Sequence, residues 1–495
     1  MSTLQSQNPH LLEAAQNFAS AIRNLHPTSY ILHPRALIVG GFVRDALLNI
    51  QSDDLDMEVY GVPPDDLQAL LEKLYPEKLN LIGRSFGIFH VTLDDGLEFE
   101  ISIPRRDSKT GIGHKGFAVE GDPSMTIEDA TRRRDFTINS ILADPLTGEI
   151  IDPFDGQADL EQKILRVTDP QTFIEDPLRV YRAIQFAARF ELTIESKSFE
   201  LMRQMVKRGD LAELSPERVT EEMKKLLLKA KRPSVGLQLM FDLGIIERDY
   251  PELFILKQTP QEPEWHPEGD VWIHTLMVVD QAAKIIRREE GFTEQEKLQV
   301  MMGALCHDLG KPATTKMGEK KGVPRIRSLG HEEAGEEPTR SLCKKWMFGE
   351  VVEHASIMSA TQHLKPGALL RSKERGELND EQYANVVRKL LKKIYPLSWK
   401  VLLASAEADH RGRALPEAET ETYVAGQLFT QTILDHQLDE APTKPLVRGQ
   451  DLIERGIKPG PRMGEIINAI ETARDEGKMK TREEALAYLD QILRI

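Results

Sequence analysis

The sequence predicts a multidomain chain in which a small mixed α/β head is followed by a mostly α-helical remainder. Three observations predict it. Between about residues 30 and 155, short apolar runs alternate with turn residues, the pattern of brief strands and helices. From Asp176 onward the apolar positions recur at helical spacing almost throughout. The 495 residues also exceed what one hydrophobic core sustains, so several domains are expected.

In the head, residues 36–39, 55–60, 88–93 and 97–103 read as strands. Asp94-Asp95-Gly96 between the last two is a hairpin signal. Farther on, residues 178–190 and 216–230 have the apolar spacing of amphipathic helices. Ser215-Pro216 supplies a cap and a first-turn proline for the second. The Pro- and Glu-rich stretch 258–269 reads as a linker, 318–330 as a Gly/Lys-rich loop, and 416–422 as an acidic loop or helix start. No internal repeat or low-complexity tract is found. The expected organisation is a helical N-terminal extension (1–29), the head (30–155), a helical neck and body (156–262), a further helical domain (263–415) and a helical tail (416–495).

The bulk composition is that of an ordinary globular protein. A formal net charge of −15 argues against indiscriminate nucleic-acid binding. It leaves room for a local basic groove drawing on Arg132-Arg133-Arg134 or on Lys224, Lys225, Lys229, Lys231 and Arg232. Two cysteines, Cys306 and Cys343, make no disulfide framework and fit a reducing cytosol. The N-terminus lacks a basic segment followed by an apolar run, and no stretch is apolar enough to cross a membrane, so a cytoplasmic protein without membrane contact is expected.

The most informative stretch is Leu37-Ile38-Val39-Gly40-Gly41-Phe42-Val43-Arg44-Asp45, followed by Asp54-Leu55-Asp56. A strand runs into paired glycines, where backbone can approach a phosphate closely, and a helix N-terminus follows. Asp54 and Asp56 stand at alternate positions and so share one face of a strand. Such a pair can hold Mg²⁺ for phosphoryl or nucleotidyl transfer. Glu100 is the expected third carboxylate, with Glu98 on the same face as its rival. Next come Arg133, Arg134, Asp135 and Asn139: guanidinium groups suit triphosphate oxygens, and Asp and Asn suit ribose hydroxyls. A carboxylate-rich turn follows from Asp152 to Asp159. In Glu175-Asp176-Pro177-Leu178-Arg179-Val180-Tyr181-Arg182, Asp176 and Arg179 are neighbours on one helix face. A carboxylate accepts from the exocyclic amine of C or A, and a guanidinium donates to the ring nitrogen or carbonyl, so the pair can favour C and A over U and G.

In this order the segments resemble the nucleotidyltransferase superfamily that includes DNA polymerase beta. More narrowly, they resemble the class II tRNA nucleotidyltransferases, the bacterial-type CCA-adding enzymes, and the closely similar bacterial poly(A) polymerases. The likeness covers nearly the whole chain. It implies that Gly40, Gly41 and Arg44 hold a triphosphate and that Asp54 and Asp56, with Glu100, carry catalysis on Mg²⁺. It implies that Arg133, Arg134, Asp135 and Asn139 form the ribose motif and that Asp152 to Asp159 form a hinge. Glu175, Asp176, Arg179 and Arg182 then fall on the protein template that selects CTP and ATP. Ser215-Pro216-Glu217-Arg218 with Glu221 and Glu222 fall on the segment that supports it. The Gly-rich, basic loop from Arg105 to Gly116 falls where a flexible loop helps the switch from C to A addition.

A second constellation lies farther on: His274, the dipeptide His307-Asp308, His331, His363 and Asp409. Imidazoles and carboxylates suit Ni²⁺, Co²⁺, Mn²⁺, Zn²⁺ or Fe, and a metal-bound water can attack a phosphate ester. The ordered set resembles the HD phosphohydrolase superfamily. His274, His307, Asp308 and Asp409 match its core ligands, and His331 and His363 its additional ones, with His354 as an alternative to His363. The tail, with Val447-Arg448-Gly449 and Lys458-Pro459-Gly460-Pro461-Arg462, is similar to the part of the family that grips tRNA by shape.

The resulting expectation is a bifunctional enzyme that adds and repairs the 3′-terminal CCA of tRNA and trims phosphorylated ends. The alternatives are a poly(A) polymerase, a CC- or A-adding enzyme, and an HD phosphohydrolase whose head is a non-catalytic RNA platform. Monomer and homodimer stay equally open.

Overall fold

The computed structural model describes residues 4, 7–25, 33–80, 88–109, 117–415, 418, 422–438, 446–475, 478–479 and 481–493. The chain divides into two compact units, one of residues 1–255 with 342–348, the other of 256–341 with 349–495.

The first unit is organised by a seven-stranded sheet. Its strands are β1 (Arg35–Val39), β2 (Leu55–Tyr60), β3 (Leu79–Asn80), β4 (Ile88–Thr92) and β5 (Glu98–Ser102). The hairpin β6 (Arg105–Lys109) and β7 (Phe117–Gly121) stands apart, and β8 (Leu142–Ala143) and β9 (Ile150–Ile151) complete the sheet. The order is β3-β4-β5-β2-β1-β8-β9, and among the described residues of this sheet β2 and β5 are the one parallel pair. Four consecutive buried residues, Ala36 to Val39, make β1 a central strand covered on both faces. The N-terminal helix Pro9–Arg23 is capped by Asn8 and buries Leu11, Ala15, Phe18, Ala19 and Ile22, a stripe at helical spacing. Phe18 reaches Phe99 on β5 with ring centroids 6.5 Å apart.

Helix Leu178–Phe190 buries Val180, Tyr181, Ala183, Ile184, Phe186, Ala187 and Ala188, as its period requires. Helix Pro216–Lys229 starts at its proline as expected, although the Ser215 side chain makes no capping bond. Trp346 belongs to the same unit: its ring lies 5.6 Å from Tyr250, and its carbonyl accepts from Thr220 Oγ1 at 2.7 Å.

In the second unit, helices Val271–Arg288, Glu294–Cys306, Glu350–Gln362 and Trp399–Arg411 pack on one another. Toward the C-terminus, Leu452, Ile470, Ala485 and Leu489 form a separate buried cluster. Among the described residues no helix is long and apolar enough to cross a membrane.

Two loop expectations are corrected. Residues 318–330 are not a loop: Thr315–Lys320 pairs antiparallel with Val323–Ser328 across Lys321 and Gly322, both at positive φ. This ribbon is largely solvated, so it lacks the apolar alternation that announces a strand. The stretch 258–269 is not a free linker either, since Thr259 and Gln261 are buried and Glu262 is bonded to Arg325. The basic loop expected from Arg105 to Gly116 begins as β6, while 110–116, like most of 416–422, lies outside the described residues.

Candidate active sites

The first site grows from the pleat of β2. Alternation places Asp54, Asp56, Glu58 and Tyr60 on one face. The parallel register sets Glu100 of β5 directly opposite Asp56. Burial, reinforced by Asp54 and Glu100, pushes the Asp56 carboxyl from 3.8 up to about 7, against the pull of Arg134. Carboxylates that oppose one another's ionisation in this way are a donor set suited to a hard divalent cation. Glu98 is exposed and accepts from Thr92 Oγ1 at 3.2 Å. Glu58 was absent from the sequence-derived set, although the alternation that marks Asp54 and Asp56 extends to it. It is buried, accepts from the Tyr60 hydroxyl and lies 3.8 Å from Arg134.

The glycine turn sits beside this row. Gly40 has φ +67, and a Cβ there would lie 2.9 Å from Arg134 Nη1. Arg134 therefore lies over the turn while its charge reaches Asp56. Arg133 donates to the Arg105 carbonyl. Arg44, expected on a triphosphate, is buried against the glycine turn, where a Cβ on Gly41 would lie 3.5 Å from its Nη2. It donates to Asn139 Oδ1 at 2.6 Å and to Asp45 at 2.6 and 2.8 Å, and lies 4.5 Å from the Phe190 ring centre. The two aromatic rings of helix Leu178–Phe190 that hold it are too far along the chain for local reading to find. Asp135 completes the frame: it accepts from Phe136 N at 2.8 Å, Asn139 Nδ2 at 2.9 Å and Arg182 Nε at 2.7 Å. Burial opposes its ionisation, yet Arg182 and Asn139 hold the carboxyl below its usual range.

Asp176 and Arg179 come together at the start of helix Leu178–Phe190 but do not pair with each other. Asp176 accepts from Arg218 Nη2 at 2.9 Å. Arg179 donates to the carbonyls of Thr172 and Arg133, each at 2.8 Å. Each member is thus aimed by an outside partner, which is what a pair that reads a base edge needs. Asp152 accepts from the backbone N–H groups of Gly156 and Gln157, both at 2.8 Å, and Asp159 from Thr137 Oγ1 at 2.7 Å. The expected hinge is therefore a tightly bonded turn.

The second site lies in the second unit, where helix ends bring imidazoles together. His274 Nε2 is 3.1 Å from Asp409 Oδ1 and 3.8 Å from Asp308 Oδ2. His307 Nε2 is 3.1 Å from Asp308 Oδ2, and His331 Nε2 is 3.5 Å from Asp308 Oδ1. The rings of His307 and His363 are 5.2 Å apart, and those of His331 and His363 are 5.6 Å apart. His363 is therefore in the cluster, whereas His354 faces the Ile394 carbonyl at 3.2 Å. Gly310 permits the approach, because a Cβ there would lie 2.0 Å from the His331 carbonyl oxygen.

The remaining ring nitrogens are spoken for. Nδ1 of His307 meets the Ala304 carbonyl at 2.7 Å, Nδ1 of His331 meets Ser328 at 2.8 Å, and Nδ1 of His363 meets Ala360 at 3.0 Å. Donation there leaves each Nε2 as a lone pair turned inward. His307 Nε2, His331 Nε2 and both Asp308 oxygens are buried without a properly aligned hydrogen-bond partner. Buried polar atoms in that state suit a metal ion, so the residues present fit one. Burial drops His363 to about 4, which keeps it neutral and ready to ligate.

Sequence reading missed two participants, Glu268 and Lys311. Glu268, inside the expected linker, lies 2.9 Å from both His274 Nδ1 and His266 Nδ1. Burial works against its ionisation, but the two imidazoles hold it well below the usual carboxylate range. Lys311 Nζ lies 2.6 Å from Asp308 and donates to Gln261 at 2.7 Å.

Comparison with known proteins agrees with this division. The Poly A polymerase head domain family matches residues 36–166, the "Probable RNA and SrmB- binding site of polymerase A" family matches 191–256, and the HD domain family matches 271–393. The multifunctional CCA protein of Stenotrophomonas maltophilia is 34% identical over 87% of this chain and 96% of its own length. That of Pasteurella multocida is 36% identical over 76% and 83%. Among solved structures, the fold resembles the Bacillus stearothermophilus CCA-adding enzyme in complex with CTP (TM-score 0.61, 21% identity, 98% of each chain). It also resembles the Thermotoga maritima CCA-adding enzyme complexed with tRNA (TM-score 0.56, 20% identity, 99% and 97%). A poly(A) polymerase-type head and an HD domain in one chain, with relatives at this identity along nearly their whole length, mean that the protein belongs to the family of multifunctional CCA proteins.

Proposed function

We propose that this chain completes and repairs the 3′-terminal CCA of tRNA without a nucleic-acid template, using CTP and ATP. The observation that carries the reading is the row Asp54, Asp56 and Glu100 set against the Gly40 turn and Arg134. Mg²⁺ held by these carboxylates would activate the terminal hydroxyl of the acceptor and neutralise the departing pyrophosphate. Gly40 and Gly41 let the triphosphate approach, Arg133 and Arg134 offset its charge, and Arg44, Asp135, Asn139 and Arg182 keep the frame rigid. Asp176 and Arg179 read the C or A edge, held by Arg218 and by backbone carbonyls.

The second unit contributes hydrolysis of phosphorylated ends. His274, His307, Asp308 and Asp409, with His331 and His363, hold the metal, and a Ni, Co, Mn, Zn or Fe ion there would supply an acidified water. Lys311 orients Asp308 and offsets charge on a phosphate. The helical tail grips the tRNA, and the enzyme works in the cytoplasm.

The test supplies purified protein and Mg²⁺ with tRNA transcripts ending before CCA, after C and after CC, each with CTP, ATP or both. Ordered addition that stops at CCA is the expected result. Long A tails, or addition limited to C or to the last A, would overturn it in favour of a poly(A) polymerase or a split-function enzyme. The curated relatives named CCA proteins do not favour either.

A further inference from the structure

Beside the His/Asp centre, the second unit holds a larger cavity that no step above uses. It measures about 1350 Å³ and runs between helices Val271–Arg288, Trp399–Arg411 and Val424–Asp435. The metal-site cavity measures about 500 Å³. A typical small-molecule cleft spans roughly 300–1,000 Å³, so the larger one suits an extended ligand.

Its lining carries more cations than acids. Lys284, Arg288, Lys400 and Arg411 face it, against the acids Glu289 and Glu407. Glu407 is already engaged by Arg288 at 3.0 Å and by Arg411 at 2.7 Å. The local excess of cations contrasts with a chain whose net charge is −15. Trp399, Tyr423 and Phe292 add aromatic rings between the cations. Interleaved cations and aromatics suit a phosphodiester backbone with unpaired bases.

The two cavities share a wall. Tyr423 lines both, with its ring 5.3 Å from that of His410. On helix Trp399–Arg411, Glu407 and Arg411 stand four apart and face the groove, while Asp409 between them turns to the metal cluster. One helix thus serves both spaces.

We propose that this groove binds the single-stranded 3′ segment of an RNA whose terminal phosphate enters the His/Asp centre. The inference rests on the hydrolytic reading of that centre, and it makes an RNA end rather than a mononucleotide the ligand the second unit is built to receive.

The test uses the full-length protein and a short single-stranded oligoribonucleotide carrying 4-thiouridine and a 3′-phosphate. Photocrosslinks should map to peptides bearing Trp399, Tyr423 or Phe292. Lys284→Ala with Lys400→Ala changes two exposed side chains. It should weaken binding and lower the slope of log affinity against log salt by about 1.4, as expected for two lost phosphate contacts on a single strand. Trp399→Ala should weaken binding roughly ten- to hundredfold through a lost stacking platform. Crosslinks confined to residues outside the groove, or an unchanged salt slope in the double variant, would overturn the proposal. Phosphate release from the same oligonucleotide reads the centre separately: groove crosslinks without release would refute the hydrolytic reading and keep the groove.

Discussion

Replacing Asp56 by Asn should abolish nucleotide addition and at the same time stabilise the metal-free protein. In the fold, Asp56 holds its proton up to about pH 7, against 3.8 for an ordinary Asp. Between those limits the folded state binds the proton more tightly than the unfolded state, so stability falls as pH rises and the penalty is complete above pH 7. At about 1.36 kcal/mol per pK unit the shift amounts to some 4 kcal/mol at most. Asp56 is half-buried and water screens part of its field, so a gain of about 1–3 kcal/mol is expected for the Asn variant. For a unit of this size that raises the melting transition by about 2–10 °C. The assay is thermal unfolding in EDTA at pH 8 and pH 5, with Mg²⁺ added back at pH 8. The gain should be largest at pH 8 and shrink at pH 5, where the wild-type carboxyl is protonated in the fold. Added Mg²⁺ should stabilise the wild type and leave the variant unmoved. A variant that melts no higher than wild type at pH 8, or gains equally at both pH values, would refute the account of the carboxylate row.

Four other outcomes follow from particular contacts. Glu100→Gln should slow C and A addition by two orders of magnitude or more, while Glu98→Gln stays near wild type; single-turnover incorporation separates them. Arg218→Ala removes the bond that aims Asp176, so discrimination against UTP should fall roughly tenfold or more, read as misincorporation on a tRNA awaiting its first C. Arg182→Ala leaves the buried Asp135 carboxylate without its cation and should cost about 3–5 kcal/mol, seen as an earlier urea transition of the first unit. Glu268→Gln should weaken metal binding at the His/Asp centre about 10–100-fold in calorimetric titration while CCA addition is preserved.

Much of the molecule was legible along the chain because the signals are local. The alternation at Asp54 and Asp56, the period of helix Leu178–Phe190 and the order of His274, His307-Asp308 and Asp409 are each spelled within short windows. Where the signal was weak, the structure differs. The ribbon Thr315–Ser328 is solvated and carries no apolar stripe. Glu268 was hidden in a stretch whose prolines suggested a linker.

By itself, then, the sequence determined the head-then-helices class, the candidate carboxylates of the first site and the candidate ligands of the second. Pleat alternation and helical period act between near neighbours in the chain. Only the tertiary structure decided which distant groups meet. Glu100 faces Asp56 because β2 and β5 are parallel and in register. Arg182 meets Asp135 from 47 residues away, Asp176 is held by Arg218 rather than by Arg179, and His363 rather than His354 joins His331. Those choices follow from burial. A charge or imidazole taken from water must find a partner wherever the packed chain supplies one, and sequence spacing does not encode that place.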